Sequence, residues 1–198
     1  MAPATRRGFL STLGSTAGIA GIAGCLSDRL PGGDGSVDRT VYIGAYHWGF
    51  ILVDEGGAER EQIAVDRGTS IELVAFNTGA EQAFESLPAS VRSAVPEHHE
   101  LEERNEERIP APNDGDLHEA LEAANDRYPD HSVTVVPSGG NHMGSGIRMH
   151  PLALPTDTTR PTVDTVTASQ RGDYTLSCMT YCGYGHPYMY LDGGLIVR

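Results

Sequence analysis

Residues 178–189, CMTYCGYGHPYM, place two thiols, an imidazole and a thioether within twelve positions of a chain with 3 Cys, 5 Met and 8 His in 198 residues. Two Cys four apart most often form a disulfide or a redox pair, so C-x3-C alone is a weak signal. His186 and Met189 sharpen it. At this chain's own frequencies, a His and a Met fall at two set positions with a probability of about one in a thousand. Thiolate, imidazole and thioether together suit copper, because soft sulfur ligands select it over metals that prefer hard oxygen. A blue single-copper site needs one Cys, two His and a weak Met. The second Cys allows both sulfurs of one loop to bridge two metal ions. Gly183 and Gly185 let that loop turn tightly between Cys182 and His186.

The segments around this loop read as strands. TVYIGAYHWGFILV, from residue 40, is β-branched and aromatic without a helical period. EQIAVDRGTSIELVAFNTG (61–79) alternates around a turn at Arg67-Gly68 and gives a hairpin-like signal. PTVDTVTAS (161–169) and GDYTLSC (172–178) alternate again, and YLDGGLIV forms a last strand. Short strands separated by turn residues predict an all-β sandwich. No helical segment lies between these strands, which argues against a parallel α/β fold. No run of about 18 apolar residues is present to span a bilayer as a helix.

The N-terminus reads as an address. TRRGFL (5–10) resembles a twin-arginine export signal, and the mildly apolar stretch after it ends in IAGC (22–25), which resembles a lipoprotein cleavage site. Residues 1–24 are thus expected to be removed and Cys25 to carry lipid, with simple cleavage and a free Cys25 as the alternative. Residues 25–39 follow as a Gly-rich flexible tether. The expected location is the external face of the cytoplasmic membrane, lipid-anchored.

Charge narrows the environment. The 14 basic residues are all Arg, set against 27 acidic ones, for a formal net charge of -13. That balance argues against nucleic-acid binding. Acidic, Lys-free composition fits a halophilic protein. At a Debye length of roughly 3 Å in about 1 M salt, the charge serves hydration more than steering. Residues 80–131 hold 14 of the acidic side chains and 4 Arg. EQAFESLPASVRSAV and DLHEALEAANDRY within them read as short helices, the second with Leu117, Ala120 and Leu121 on one face. HHELEERNEERIPAPNDG between them reads as mobile. The whole is expected to be a solvated, partly helical insertion in a sandwich loop.

C-x3-C-G-x2-H-x2-M after a G-x-Y-x3-C strand resembles the CuA domain of subunit II of haem–copper (cytochrome c) oxidases, and the related domain of nitrous oxide reductase. The resemblance covers residues 40–79 and about 145–198. It implies a cupredoxin-like Greek-key β-sandwich, spanning 40–198 with 80–131 inserted, and a dinuclear copper centre for electron transfer without catalysis of its own. It implies Cys178 and Cys182 as bridging thiolates and His186 as ligand to one copper. Met189 and the Thr180 carbonyl are implied as weak axial ligands. The upstream His of the family is followed five residues later by Pro. His150, with Pro155, fits that pattern and follows the alternating Ile147 and Met149, so it is preferred to His142. His47, His98, His99, His118 and His131 are expected at the surface. Trp48 falls near the family's aromatic electron-entry cluster, and a core role suits it equally. Thr180 stands where oxidases often carry a magnesium-binding Glu, so no such magnesium site is expected.

Implied partners are a redox donor such as a small copper protein or a cytochrome, and an oxidase subunit I. A lipoprotein-like signal replaces the family's transmembrane hairpin, which leaves a free-standing electron carrier open. A copper chaperone or thiol-redox protein is the alternative class. Gly183 after the second Cys and the all-β pattern count against it. A third reading is a plain Cys178–Cys182 disulfide.

Overall fold

The computed structural model describes residues 36–140, 147 and 149–198. The expected export signal, Cys25, most of the expected tether and His142 lie outside the described residues. Among the described residues, no helix is long and apolar enough to cross a membrane.

The chain opens with a hairpin, β1 (Arg39–Tyr46) and β2 (Gly49–Asp54), followed by two short strands, β3 (Glu59–Arg60) and β4 (Ile63–Val65), and by β5 (Ser70–Asn77). Four helices come next: α1 (Glu81–Glu85), α2 (Ala89–Arg92), α3 (His98–Glu106) and α4 (Leu117–Arg127). The chain then returns to strands with β6 (His131–Pro137), β7 (Leu152–Leu154), β8 (Thr162–Thr167), β9 (Gly172–Ser177) and β10 (Tyr190–Val197). The strands form two five-stranded sheets, ordered β3-β2-β1-β5-β8 and β4-β10-β9-β6-β7. β1 runs parallel to β5 and β10 parallel to β4, while the other pairs are antiparallel. This is an all-β sandwich with a helical insertion, as the strand pattern predicts.

One local expectation fails. β4 and β5 flank the Arg67-Gly68 turn but do not pair: β4 joins β10, and β5 lies between β1 and β8. The turn carries the chain from one sheet to the other. Alternation reports that each strand is half-buried, and it carries no information about which strand is the partner.

The inner faces meet over a core that includes Ile43, Leu73, Val133, Val135, Tyr174 and Leu176, all buried. β9 shows the expected alternation, with Tyr174 and Leu176 inside and Asp173 outside. β2 is different, because Gly49–Val53 is buried without a break. Its second face is covered by the insertion, where Leu87, Val91 and Leu101 pack with Tyr46, Ile51, Val53 and Phe76. A strand covered on both sides reads as a continuous apolar run, which is what GFILV is.

The insertion is therefore not a mobile loop. α3 forms within the segment expected to be mobile. Leu101 and Asn105 are buried and define its inner side, while its remaining surface is too polar to give a helical period. Arg104 of α3 grips Glu59 of β3 with both guanidinium ends, a bidentate geometry stronger than a single ion pair. α4 begins at Asp116, whose carboxylate accepts the Glu119 amide at 2.7 Å. That cap satisfies one of the free N–H groups of the first turn. Leu121 is buried, with Leu117 and Ala120 packed against the same core, as their spacing predicts.

Candidate metal centre

β9 delivers Cys178 at its end, and β10 starts just after Met189. The Cys178 amide donates to the Met189 carbonyl at 3.1 Å and closes the loop between them. Within the loop, the His186 amide donates to the Gly183 carbonyl at 3.1 Å, and His186–Tyr188 form one 3-10 turn. Gly183 has φ +97, a conformation that glycine adopts without strain. Gly185 is needed for a different reason. A Cβ there would stand 2.0 Å from Trp48 Cδ2. The loop lies directly on the indole, and the Trp48 Nε1–H donates to the Cys182 carbonyl at 2.6 Å. Trp48 is fully buried, so it is a core residue and also a support of the loop.

The donor atoms converge. Cys178 and Cys182 are both buried and both free thiols. Cys182 Sγ lies 3.5 Å from His186 Nδ1 and 3.5 Å from Met189 Sδ. Cys178 Sγ lies 3.1 Å from the Thr180 carbonyl oxygen. Five of the six residues expected at the site are thus brought together.

The sixth is not. His150 is exposed and is absent from the cluster of potential ligands among the described residues. That cluster consists of His131, Cys178 and Cys182, whose ligating atoms lie within 4.8 Å of one another. His131 is 1% exposed, which corrects its expected place at the surface. It heads β6, a strand that pairs with β9, with Thr134 opposite Ser177. The start of β6 therefore stands beside the end of β9, where Cys178 sits. The available signal was the run HSVTVVP, a His leading a β-branched strand, with Pro137 six residues on rather than five.

His47 also leaves the surface. One of its ring nitrogens meets the Tyr128 carbonyl at 3.0 Å, and the other meets His131 Nε2 at 3.2 Å. Burial, reinforced by the neighbouring His131 ring, holds the His47 pKa down to about 4. His98, His99 and His118 are exposed, as expected.

The two thiols share their protons unequally. A hydrogen bond from Cys182 holds Cys178 far below the usual thiol range, with further help from the Ser132 amide. The same bond, together with burial, pushes Cys182 well up. Ser132 supports the Cys178 sulfur. Its amide lies 3.5 Å from Cys178 Sγ, and its hydroxyl oxygen accepts the Met179 amide at 2.9 Å. Outside this buried set stands an apolar rim of exposed Met179, Tyr181 and Tyr184. Tyr181 packs edge-on against Tyr128 and beside His186.

One feature tests whether a metal fits. His131 Nδ1 is buried and has no hydrogen-bond partner. An orphaned buried nitrogen costs about 1–3 kcal/mol, unless something binds it. With Nε2 turned to His47, Nδ1 is the nitrogen left for the sulfurs. Two sulfurs from Cys, a thioether, two imidazoles and a carbonyl form a soft, closed set of lone pairs, so the residues fit a thiophilic metal such as copper.

No protein-family model matches the chain, and no curated protein matches it. Among solved structures, the periplasmic domain of subunit II of cytochrome oxidase from Bradyrhizobium japonicum has a TM-score of 0.44 at 9% identity. The match covers 83% of this chain and 86% of that one. A haem–copper terminal oxidase dimer gives a TM-score of 0.38 at 14% identity over 88% and 77% of the two chains. A purple cupredoxin from Nitrosopumilus maritimus gives 0.35 at 10% identity over 81% and 100%. Likenesses this weak leave the chemistry to be derived from the residues.

Proposed function

We propose that the protein is an exported electron-transfer protein with a dinuclear copper centre. The ligands are His131, Cys178, Cys182, His186, Met189 and the Thr180 carbonyl. His131 takes the place first given to His150. The observation that carries this reading is the approach of a buried histidine from β6, with an unpaired Nδ1, to two free thiols and a thioether held in one loop.

His131, Cys178, Cys182, His186 and Met189 would hold the copper, which would supply one-electron transfer. The protein's part is to keep the ligands still. β9 and β10 fix both ends of the loop, the indole of Trp48 fixes its middle, and β6 holds His131. Burial of Cys178, Cys182 and Met189 excludes water from the sulfurs. The exposed rim of Met179, Tyr181 and Tyr184 leaves one apolar approach for a redox partner, such as a small copper protein or a cytochrome. The domain serves either as the electron-entry part of an oxidase or as a free-standing carrier.

Metal analysis and electron paramagnetic resonance test the reading together. The thiol-reduced protein is expected to take up two coppers per chain. The mixed-valence form is expected to be purple, with hyperfine structure from one electron shared over two nuclei. One copper with a blue-site spectrum would sink the two-metal assignment, and a Cys178–Cys182 disulfide without copper would sink the metal altogether.

Location belongs to the same proposal. If Cys25 carries lipid, Cys25→Ser releases the protein from the membrane to the medium with its copper spectrum unchanged. Fractionation of cells expressing the variant checks this. Continued membrane attachment would mean that another feature anchors the chain.

A further inference from the structure

His47 sits in the two-residue turn between β1 and β2, remote in sequence from every proposed ligand. The insertion holds this turn in place. Asn105 of α3 donates to the His47 carbonyl, and Arg108 donates to the Trp48 carbonyl at 2.7 Å. The third contact is the Tyr128 carbonyl, at the end of α4, 3.0 Å from a ring nitrogen of His47.

These contacts fix protons by simple accounting. A carbonyl oxygen only accepts, so His47 Nε2 must carry the hydrogen that it donates to Tyr128. A neutral imidazole has one N–H, so His47 Nδ1 is a lone pair. That lone pair faces His131 Nε2 at 3.2 Å, so His131 Nε2 must donate. Neutral His131 then has its lone pair on Nδ1, the buried atom without a partner. A ligating histidine commonly donates its other ring N–H to an acceptor that fixes its tautomer and orientation. The rings stand 69° apart with centroids 4.3 Å apart, an edge-to-face contact rather than a stack.

We propose that His47 is the positioning residue of the metal centre. It takes its own proton arrangement from the Tyr128 carbonyl of the insertion and so presents His131 Nδ1 to the metal. The inference rests on the copper reading, and it gives the acidic insertion a role. α3 and α4 set the turn and the acceptor that orient a ligand contributed by the sandwich.

The test uses the reduced full chain labelled with 15N in its histidine rings. In the metal-free wild type, long-range 1H–15N correlation is expected to show His131 protonated on Nε2 only. His47→Phe keeps a ring but removes the acceptor. It is expected to give His131 mixed tautomers, to lower copper affinity by roughly 10- to 100-fold and to raise the reduction potential. His47→Asn can place an amide oxygen near the position of Nδ1 and is expected to restore most of the affinity. Thermal melts of the metal-free variants establish that both are folded. A wild-type His131 protonated on Nδ1, or a folded His47→Phe variant with unchanged tautomer and affinity, overturns the proposal. Failure of the wild type to bind copper overturns the metal reading instead, and the metal-free tautomer still reports on His47 separately.

Discussion

His131→Ala is expected to abolish the two-copper spectrum, while His150→Ala leaves it intact. His131 is 1% exposed and lies with Cys178 and Cys182 inside one 4.8 Å group. Its removal deletes a donor that no neighbour can replace, because Ser132 is already committed to Met179 and the Cys178 sulfur. The loss of copper affinity should exceed the roughly 10- to 100-fold that outer-shell partners carry. His150 is exposed and has no place in the donor set. Copper titration with competition by a chelator, followed by paramagnetic resonance, separates the two variants. The opposite result, with His150 essential and His131 dispensable, would remove His131 from the donor set.

Trp48→Ala is expected to give the largest loss of stability, about 3–5 kcal/mol for truncating a buried Trp. At roughly 2–4 °C per kcal/mol for a domain of this size, its melting temperature falls by about 6–20 °C. The indole fills the space against Gly185 and holds the Cys182 carbonyl at 2.6 Å, so the ligand loop loses its floor as well. Trp48→Phe keeps most of the packing but leaves the Cys182 carbonyl without its donor, at a cost of about 1–3 kcal/mol. Denaturant unfolding of the metal-free protein measures both changes. Equal stabilities for the Ala variant and the wild type would remove Trp48 from the support of the site.

How far the sequence reveals these features depends on how local they are. α4 was legible because its apolar face, Leu117, Ala120 and Leu121, lies within a few residues. α3 was not, since two buried positions among charged neighbours give no clear period. Its stability comes from packing on the β1–β2–β5 face, where Leu101 meets Tyr46 and Phe76. Helices in proteins draw most of their stability from such packing rather than from propensity. The strand pattern likewise revealed a sandwich but not its pairings, so the Arg67-Gly68 turn reads as a hairpin while its two arms enter different sheets.

The metal centre divides along the same line. The sequence by itself determined the loop: Cys178, Thr180, Cys182, His186 and Met189 stand within twelve residues, and a chain that short between two strand ends must keep them close. Only the tertiary structure brought a histidine beside these sulfurs. His131 precedes Cys178 by 47 residues and reaches it through the pairing of β6 with β9. The side chains of a strand alternate between faces, so a shift of one residue in that register would turn His131 away from the sulfurs. His150 has the better local pattern, but register rather than local pattern selects which side chain arrives. His47 lies further still from any local signal. It reaches His131 because Asn105 of α3 and Arg108 just beyond it hold both carbonyls of the β1–β2 turn, and the Tyr128 carbonyl after α4 meets its ring.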